Sequence, residues 1–467
     1  MFSPLYFPLV AALAARHDTL VERLAEGRIA DALAAAARLL ESDSGHANAD
    51  MIRLGADLRL AVDQTEDAED GYRKTLRVMR TSHQLRALSC RDTGWLALFR
   101  HRAATALTCF SRVVAETQLE PDRRREARFA LVVTLGELGR LNEMDDALDA
   151  LDADVASATD ADPRWREIVQ LLRHDIGVQS HIRQSEPLAD HVYWQSLQRD
   201  TTRVADVVPE TPPACALLRA RYECLHNLRM LAHGNRDGYL GLDAHLRWAQ
   251  QEGLVDYQRA LRVEIAVAAL SGGLSNLAEQ ILQPVSEQAR ESGGRRLLEY
   301  LYCIAKVRRD QGRTQDWHRL YSRYALLALR ATRDESRVAT PYSVREAGRP
   351  DAPLDDVAAR LPAKYRRAYR YLLANLERRD LSVREVAAEI NVTERALQTA
   401  FKNFVGLTPT EVIRRRRMES IHAELSNQDH DGSVLDTAHR WGVMHRSTLV
   451  NGYRKYFDEV PSETLAR

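Results

Sequence analysis

Residues 381–409, LSVREVAAEINVTERALQTAFKNFVGLTP, decide how the C-terminal part of this chain folds. Ser382 and, three residues later, Glu385 form a capping box, the pattern that begins a helix. An apolar stripe with the spacing i, i+3, i+4, i+7 follows at Val383, Val386, Ala387 and Ile390. Asn391 tolerates the left-handed conformation that ends a helix. The segment therefore starts with a short amphipathic helix and a tight turn.

A second helix is predicted directly after this turn. Thr393 can cap it, and its inward stripe is predicted to be Leu397, Phe401 and Phe404. The outer face carries long polar side chains near the helix N-terminus, where a helix that reads the major groove needs them. The base-reading candidates are Arg395, Gln398 and Thr399, and Lys402 is a candidate phosphate contact. These two helices predict a helix-turn-helix unit.

The same design recurs some fifty residues later. Ser433 can cap a helix whose inward residues are Val434, Ala438 and Trp441, and Gly442 holds the turn position. A helix around residues 446–457 follows, with Leu449, Tyr453 and Tyr456 facing inward. The outward base-reading candidates are Arg446, Ser447, Val450 and Asn451, and the phosphate candidates are Arg454 and Lys455.

A long helix is predicted between the two units. Thr408 and Glu411 form a capping box with Pro409 at the first helical position, and the helix extends to about Leu425. Four further phosphate candidates lie on it, namely Arg414, Arg415, Arg416 and Arg417. Because four consecutive residues encircle a helix, we expect one or two of them to pair with carboxylates instead. A stiff connector would hold the two readers roughly 34–36 Å apart, one turn of DNA.

The preceding part of the chain reads as helix almost throughout. One unit recurs: a helix, a turn with Gly, and a second helix whose inner face begins about five residues later. The turn glycines are Gly27, Gly139, Gly234, Gly273 and Gly312, the last three 39 residues apart, and His101 fits one copy without Gly. Such hairpins stack into a solenoid. The pattern resembles tetratricopeptide-type repeats over residues 15–335; an irregular helical bundle is the alternative.

Residues 336–362 change character, because four prolines and a glycine interrupt any apolar period. We therefore predict a helical-repeat domain at 1–335, a linker at 336–362 and a DNA-binding domain at 363–467. The chain carries 66 basic and 66 acidic residues, which excludes a wholly basic protein that coats nucleic acid. The last 107 residues hold 18 basic and 14 acidic residues, so a mildly basic domain follows a mildly acidic body.

Several other classes of protein lose support from the sequence. The five cysteines are widely spaced without a C-x-x-C pair, which argues against disulfides and zinc and favours a reducing cytoplasm. No stretch of 18 apolar residues could span a membrane, and the apolar start is predicted to be a buried helix rather than a signal peptide. Nucleotide-binding and acyl-transfer motifs are absent. We expect no cofactor, no metal and no enzymatic activity.

The last 100 residues or so resemble the AraC/XylS-type transcription regulators. The resemblance is carried by Leu381-Ser382-Val383, Val386-Ala387, Leu397-Gln398, Phe401-Lys402, Gly406-Leu407-Thr408-Pro409, Trp441-Gly442-Val443, Tyr453-Arg454-Lys455-Tyr456-Phe457 and Pro461-Ser462. It implies that bases are contacted by the base-reading candidates, which are Arg395, Gln398 and Thr399 on the first reader and Arg446, Ser447, Val450 and Asn451 on the second. Two departures are Asp458, where the family commonly has Gly, and Val450, which can make only apolar contacts with a base.

Most members of that family carry a small β-barrel that binds an effector, and this chain has no strand-rich segment. With its helical body, the whole chain resembles the HrpB/HrpX-type activators of type III secretion genes. The resemblance implies a sequence-specific activator whose partners are promoter DNA and RNA polymerase. A concave solenoid in place of the β-barrel favours a protein partner or self-association through the helical repeats over a metabolite. The alternatives are a helical-repeat interaction scaffold and a small-molecule-sensing regulator.

Overall fold

The chain is seen in a computed structural model that describes residues 4–42, 49–78, 82–116, 118–197, 209, 211–285, 295–336, 361–426, 433–457 and 459–465. All regular structure in these ranges is helical, and no strand occurs in them. Contacts divide the chain into two compact units. The first comprises Met1–Gly71 and Gly94–Arg345, and the second comprises Tyr72–Thr93 and Glu346–Arg467. The predicted linker lies almost wholly outside the described residues, so the domain limits at 335 and 363 stay a proposal.

Seventeen of the described α-helices precede residue 337. They are α1 Phe7–Ala14, α2 Asp18–Ala25, α3 Ile29–Ser42, α4 Ala49–Ala61, α5 Thr65–Val78, α6 Ser82–Phe99, α7 Ala103–Ala115, α8 Pro121–Glu137, α9 Leu141–Ser157, α10 Pro163–Arg183, α11 Val192–Ser196, α12 Ala216–Ala232, α13 Gly238–Gln251, α14 Val255–Ser271, α15 Ser275–Leu282, α16 Arg295–Asp310 and α17 Thr314–Ser336. Helix α1 is buried along its whole length, so the prediction of a buried first helix is confirmed.

The predicted turns between repeat helices are confirmed. All five turn glycines have positive φ, between 69° and 82°, and His101 adopts φ 55° in the copy that lacks Gly. Successive turns also touch: a Cβ atom on Gly272 would lie 2.2 Å from the carbonyl oxygen of Leu231 and 2.8 Å from the backbone nitrogen of Gly234. Only glycine permits this approach, which brings the turn after α14 against the turn after α12. The hairpins therefore stack in a solenoid-like array.

Charged side chains are matched inside the repeat body. Arg221 is fully buried and donates two hydrogen bonds to Asp175, both of 2.9 Å, and a third of 2.9 Å to Glu264. Such bidentate, charge-assisted bonds offset the cost of removing the three charges from water. Because Arg221, Asp175 and Glu264 lie on α12, α10 and α14, this network joins three helices from different hairpins.

Seven helices are described after residue 361. They are α18 Ala363–Ala374, α19 Val383–Glu389, α20 Glu394–Val405, α21 Pro409–Leu425, α22 Val434–Arg440, α23 Arg446–Phe457 and α24 Pro461–Leu465. The predicted caps Ser382, Thr393 and Ser433 each accept a hydrogen bond from a backbone N–H in the first turn. Asn391 and Gly442 take the left-handed conformation, with φ 51° and 71°. Two helix-turn-helix units, α19–α20 and α22–α23, are thus present as predicted.

Candidate nucleic-acid interface

The connecting helix α21 contributes to two small hydrophobic cores. Its first half places Val412 and Ile413 in the core of the first helix-turn-helix unit. Its second half places Met418, Ile421 and Leu425 in the core of the second unit. Trp441 packs against both cores. One helix therefore forms part of both units, which is the structural basis for a stiff connection between them.

The start of α21 is held by the predicted capping box. The Thr408 hydroxyl accepts a hydrogen bond from the Glu411 N–H at 3.3 Å, and the Glu411 carboxylate accepts one from the Thr408 N–H at 2.7 Å. This backbone bond to Thr408 lowers the pKa of the Glu411 carboxyl below its ordinary value. Two of the N–H groups that begin a helix without an intrahelical partner are satisfied in this way.

Helix α20 presents the first set of base-reading candidates to solvent. Leu397 and Phe401 are completely buried, and Arg395, Gln398 and Thr399 are exposed on the opposite side. None of these three exposed side chains makes a hydrogen bond to any residue that the structure describes. A shallow surface groove runs beside this face and is lined by Tyr365, Thr393, Arg395, Ala396, Thr399, Ala400, Asn403 and Phe404. The face is therefore open to an external ligand.

Two expectations for the first unit are wrong in detail. Phe404 was expected to face inward, but 43% of it is exposed, and Val405 fills the core at that end of α20. The helical period gives the direction of a side chain and does not tell how far the neighbouring helices extend.

The capping box at Ser382 is only half formed, because the Glu385 carboxylate accepts no hydrogen bond from the Ser382 backbone N–H. This carboxylate instead accepts hydrogen bonds from the Tyr371 hydroxyl and from Arg378, each of 2.6 Å. Tyr371 and Arg378 therefore compete with the Ser382 backbone for the same acceptor.

Helix α23 presents the second set of base-reading candidates. Arg446, Ser447 and Asn451 are exposed, and Val450 is partly buried. The opposite side carries Leu449 and Tyr453 in the core, as predicted. Burial raises the pKa of Tyr453 to about 12, and its hydroxyl donates a hydrogen bond of 2.8 Å to Thr464 on α24. This bond fixes the last helix against the back of the second reader.

The four consecutive arginines of α21 have different environments. Arg414 is exposed and has no hydrogen bond to a described residue. Arg415 and Arg416 both pair with Glu419, at 2.9 and 2.7 Å, as expected for one or two of the four. Arg416 also donates to the Tyr369 hydroxyl at 2.8 Å. Among the described residues, Arg417 donates to backbone carbonyls alone.

The other phosphate candidates, Lys402, Arg454 and Lys455, are exposed. Sequence reasoning overlooked further exposed cations, among them Arg370 on α18 and Arg384 on α19. Each lies on the side of its helix away from the buried residues, which is the signal that could have identified them. The domain thus exposes cations around both readers, as a duplex-binding surface requires.

Within the described ranges, no group of three or more His, Cys, Asp or Glu side chains could hold a metal ion. No described helix is long and apolar enough to cross a bilayer. All five cysteines are buried free thiols.

Comparison with known proteins gives matches of two kinds. A family model described as a helix-turn-helix domain matches residues 386–467. Over its full length the chain is 38% identical to the regulatory protein HrpB of Ralstonia nicotianae, with both proteins covered completely. Its C-terminal part is 34% identical over 104 residues to XylDLEGF operon transcriptional activator 1 of Pseudomonas putida, which covers 22% of this chain and 31% of that protein. No solved structure gives a significant match.

Proposed function

This chain belongs to the AraC/XylS family of DNA-binding transcription activators, in the branch of the regulatory protein HrpB, and from that premise we propose that it activates type III secretion genes by binding two half-sites in their promoters. The resemblance of the whole chain to HrpB supports the choice of target genes. In this proposal α20 and α23 enter successive major grooves on one face of the duplex. The protein acts in the cytoplasm and carries out no catalysis.

The observation that carries the proposal is the shared connector. Helix α21 contributes apolar side chains to both cores, and the helices α19, α20 and α22 are N-capped by a side chain. One polypeptide can then do what a dimeric repressor does with two subunits. The exposed polar residues of both readers supply base discrimination, and the exposed arginines and lysines supply salt-dependent phosphate affinity.

Selection from a library of randomised DNA duplexes tests whether the full chain reads sequence. The proposal expects enrichment of a bipartite site with two short motifs about one helical turn apart. Recovery of only one motif would contradict the two-reader proposal, and recovery of no motif would contradict sequence-specific binding. A double variant, Arg395→Ala with Asn451→Ala, serves as the control and should lose enrichment while keeping its fold, because both side chains are exposed.

Mapping of bound chromosomal DNA in living cells tests the choice of target genes. We expect binding upstream of type III secretion genes at copies of the selected site. The same sites should lose occupancy in cells that produce the double variant. Occupancy confined to promoters of unrelated genes would contradict this part of the proposal and leave DNA binding intact.

The helical-repeat body serves in this proposal as a protein-binding module, for RNA polymerase or a second copy of the chain. Two apolar side chains of α17 support it: Leu326 and Leu329 are 58% and 62% exposed, and they lie between the exposed Arg323 and Arg330. Sedimentation velocity of the full chain, alone and with purified RNA polymerase, tests it. We expect a complex that the double variant Leu326→Ser, Leu329→Ser weakens. A chain that stays monomeric and unbound in both mixtures would contradict this role.

A further inference from the structure

Arg417 lies near the middle of α21 and donates hydrogen bonds to backbone carbonyls of two segments that are distant in sequence. Its Nε–H donates to the carbonyl of Leu376 at 2.9 Å, and its Nη2–H donates to the carbonyl of Arg378 at 2.5 Å. Both acceptors follow α18, in the first helix-turn-helix half of the domain. Its Nη1–H donates to the carbonyl of Gly442 at 3.2 Å, in the turn of the second unit. One guanidinium therefore links the two halves.

The acceptors explain why an arginine is suited to this place. Leu376 and Arg378 lie just beyond the C-terminal end of α18, and Gly442 lies just beyond that of α22. These three carbonyls lie in turns outside the helices, so no intrahelical N–H pairs with them and a side-chain donor can bond to them. A planar guanidinium donates in fixed directions, so it specifies the mutual orientation of the groups that it bonds.

Arg417 differs from Arg415 and Arg416 because no described carboxylate pairs with it, and from Arg414 because it is half-buried. Arg415 and Arg416 share Glu419, whereas Arg417 is half-buried among carbonyls, and burial lowers the pKa of its guanidinium. All three nitrogens of this half-buried guanidinium donate to backbone carbonyls, so a phosphate would have to compete with these bonds or use the two N–H groups that remain. Its geometry is that of an internal link, although the sequence pattern groups it with the phosphate candidates.

Gly442 provides an independent sign that this link is closely fitted. It has φ 71°, and a Cβ atom at this position would lie 2.9 Å from Arg417 Nη2 and 3.0 Å from Arg417 Cζ. The same atom would lie 3.2 Å from the carbonyl oxygen of Glu377. The turn of the second unit therefore approaches the guanidinium as closely as the absence of a side chain allows.

We propose that Arg417 is a positioning residue that fixes the orientation of the second reader, α23, relative to the first reader, α20, without contacting DNA. The inference rests on the proposed function, since orientation matters only if both readers meet one duplex. It predicts that loss of Arg417 leaves each helix-turn-helix unit folded and able to bind. What is lost is the fixed relative orientation that lets α20 and α23 bind one duplex at the same time.

A distance measurement between spin labels tests the proposal without DNA. Labels at Asn403→Cys on α20 and Thr448→Cys on α23 occupy exposed positions, and the five native cysteines are buried. In the full chain we expect one narrow distance distribution. Arg417→Ala should broaden or shift it, Arg417→Lys should restore it only in part, and Arg414→Ala, the matched control on the same helix, should not change it. An unchanged distribution in Arg417→Ala would overturn the proposal.

Two further measurements separate positioning from folding. Amide hydrogen exchange in α20 and α23 should stay protected in Arg417→Ala. If Arg417→Ala loses protection, a second variant, Gly442→Ala, decides the question, because it keeps the arginine and adds a Cβ atom next to it. This variant must give an altered distance distribution while α20 and α23 stay protected. A wild-type distribution in Gly442→Ala would then overturn the proposal.

Binding to duplex probes that carry one or both motifs of the selected site connects the link to function. Arg417→Ala should bind the one-motif probe about as the wild type does and should lose at least about tenfold in affinity for the two-motif probe, because the second contact no longer gains from the first. Arg414→Ala should weaken on both probes. Equal losses on both probes for Arg417→Ala would indicate a phosphate contact and overturn the proposal. If the wild type binds neither probe, the proposed function fails, while the spin-label result still decides the role of Arg417.

Discussion

The sharpest prediction compares two exposed arginines in the DNA-binding part, Arg395 on α20 and Arg414 on α21. Neither makes a hydrogen bond to a described residue, so each can be changed to Ala with little effect on the fold. Arg395 lies in the first turn of the first reader, where a bidentate contact to guanine is worth about 1–3 kcal/mol. Arg395→Ala should therefore weaken binding to the selected site by about 5- to 150-fold. It should also relax the preference at one base position.

Arg414→Ala should behave differently because a phosphate carries no sequence information. Affinity should fall by a similar factor on selected and on random duplexes. The slope of log K against log salt should become shallower by about 0.9, the value for one phosphate contact. The assay is fluorescence anisotropy of a labelled duplex between 50 and 200 mM salt, roughly the range over which phosphate contacts dominate. If both variants change specificity and salt slope alike, the division into base and phosphate contacts is refuted.

The remaining predictions concern stability, measured by hydrogen exchange of the affected helices in increasing denaturant. Phe401→Ala should destabilise α20 by about 3–5 kcal/mol, because the ring is fully buried, whereas Phe404→Ala should cost less than about 1 kcal/mol; similar losses would contradict the burial. Thr408→Ala should cost about 1 kcal/mol in α21 through the lost cap, and no change would mean that the capping box contributes nothing. Burial lowers the pKa of His245 to about 3, so protonation below its unfolded pKa of about 6.5 favours unfolding. Lowering the pH from 7 to 5 should reduce the free energy of unfolding of the repeat body by about 2 kcal/mol through His245, and by a similar amount through His191, whose pKa burial also lowers to about 3. His245→Gln should abolish the share of His245, and an unchanged pH dependence in that variant would contradict a neutral buried imidazole.

Features that depend on a few neighbouring residues could be predicted from sequence. The caps Ser382, Thr393 and Ser433 and the capping box at Thr408 are local hydrogen bonds within one turn, so the residue types and spacing suffice. The left-handed turn glycines of the repeats are local for the same reason, and even the position of His101 followed from the repeat length.

Features that depend on distant segments could not be predicted. The Glu385 carboxylate accepts hydrogen bonds from Tyr371 and Arg378, which lie in the preceding helix and loop. The residues of its own helical turn do not predict these partners. Phe404 continues the apolar period of α20 but extends past the core. Arg417 looks like its three neighbours in sequence, and only the folded positions of Gly442 and of the loop after α18 distinguish it. Which outward residues meet bases stays a prediction.

The central claim is that one polypeptide reads two grooves through a stiff connector, and the spacing between the two motifs tests it most directly. Affinity of the full chain should be measured on the selected duplex and on the same duplex with about five extra base pairs, half a turn, between the motifs. The claim predicts that the insertion reduces affinity to that of a probe with one motif, because the second reader then faces the wrong side of the duplex. Equal affinity for the two spacings would contradict it.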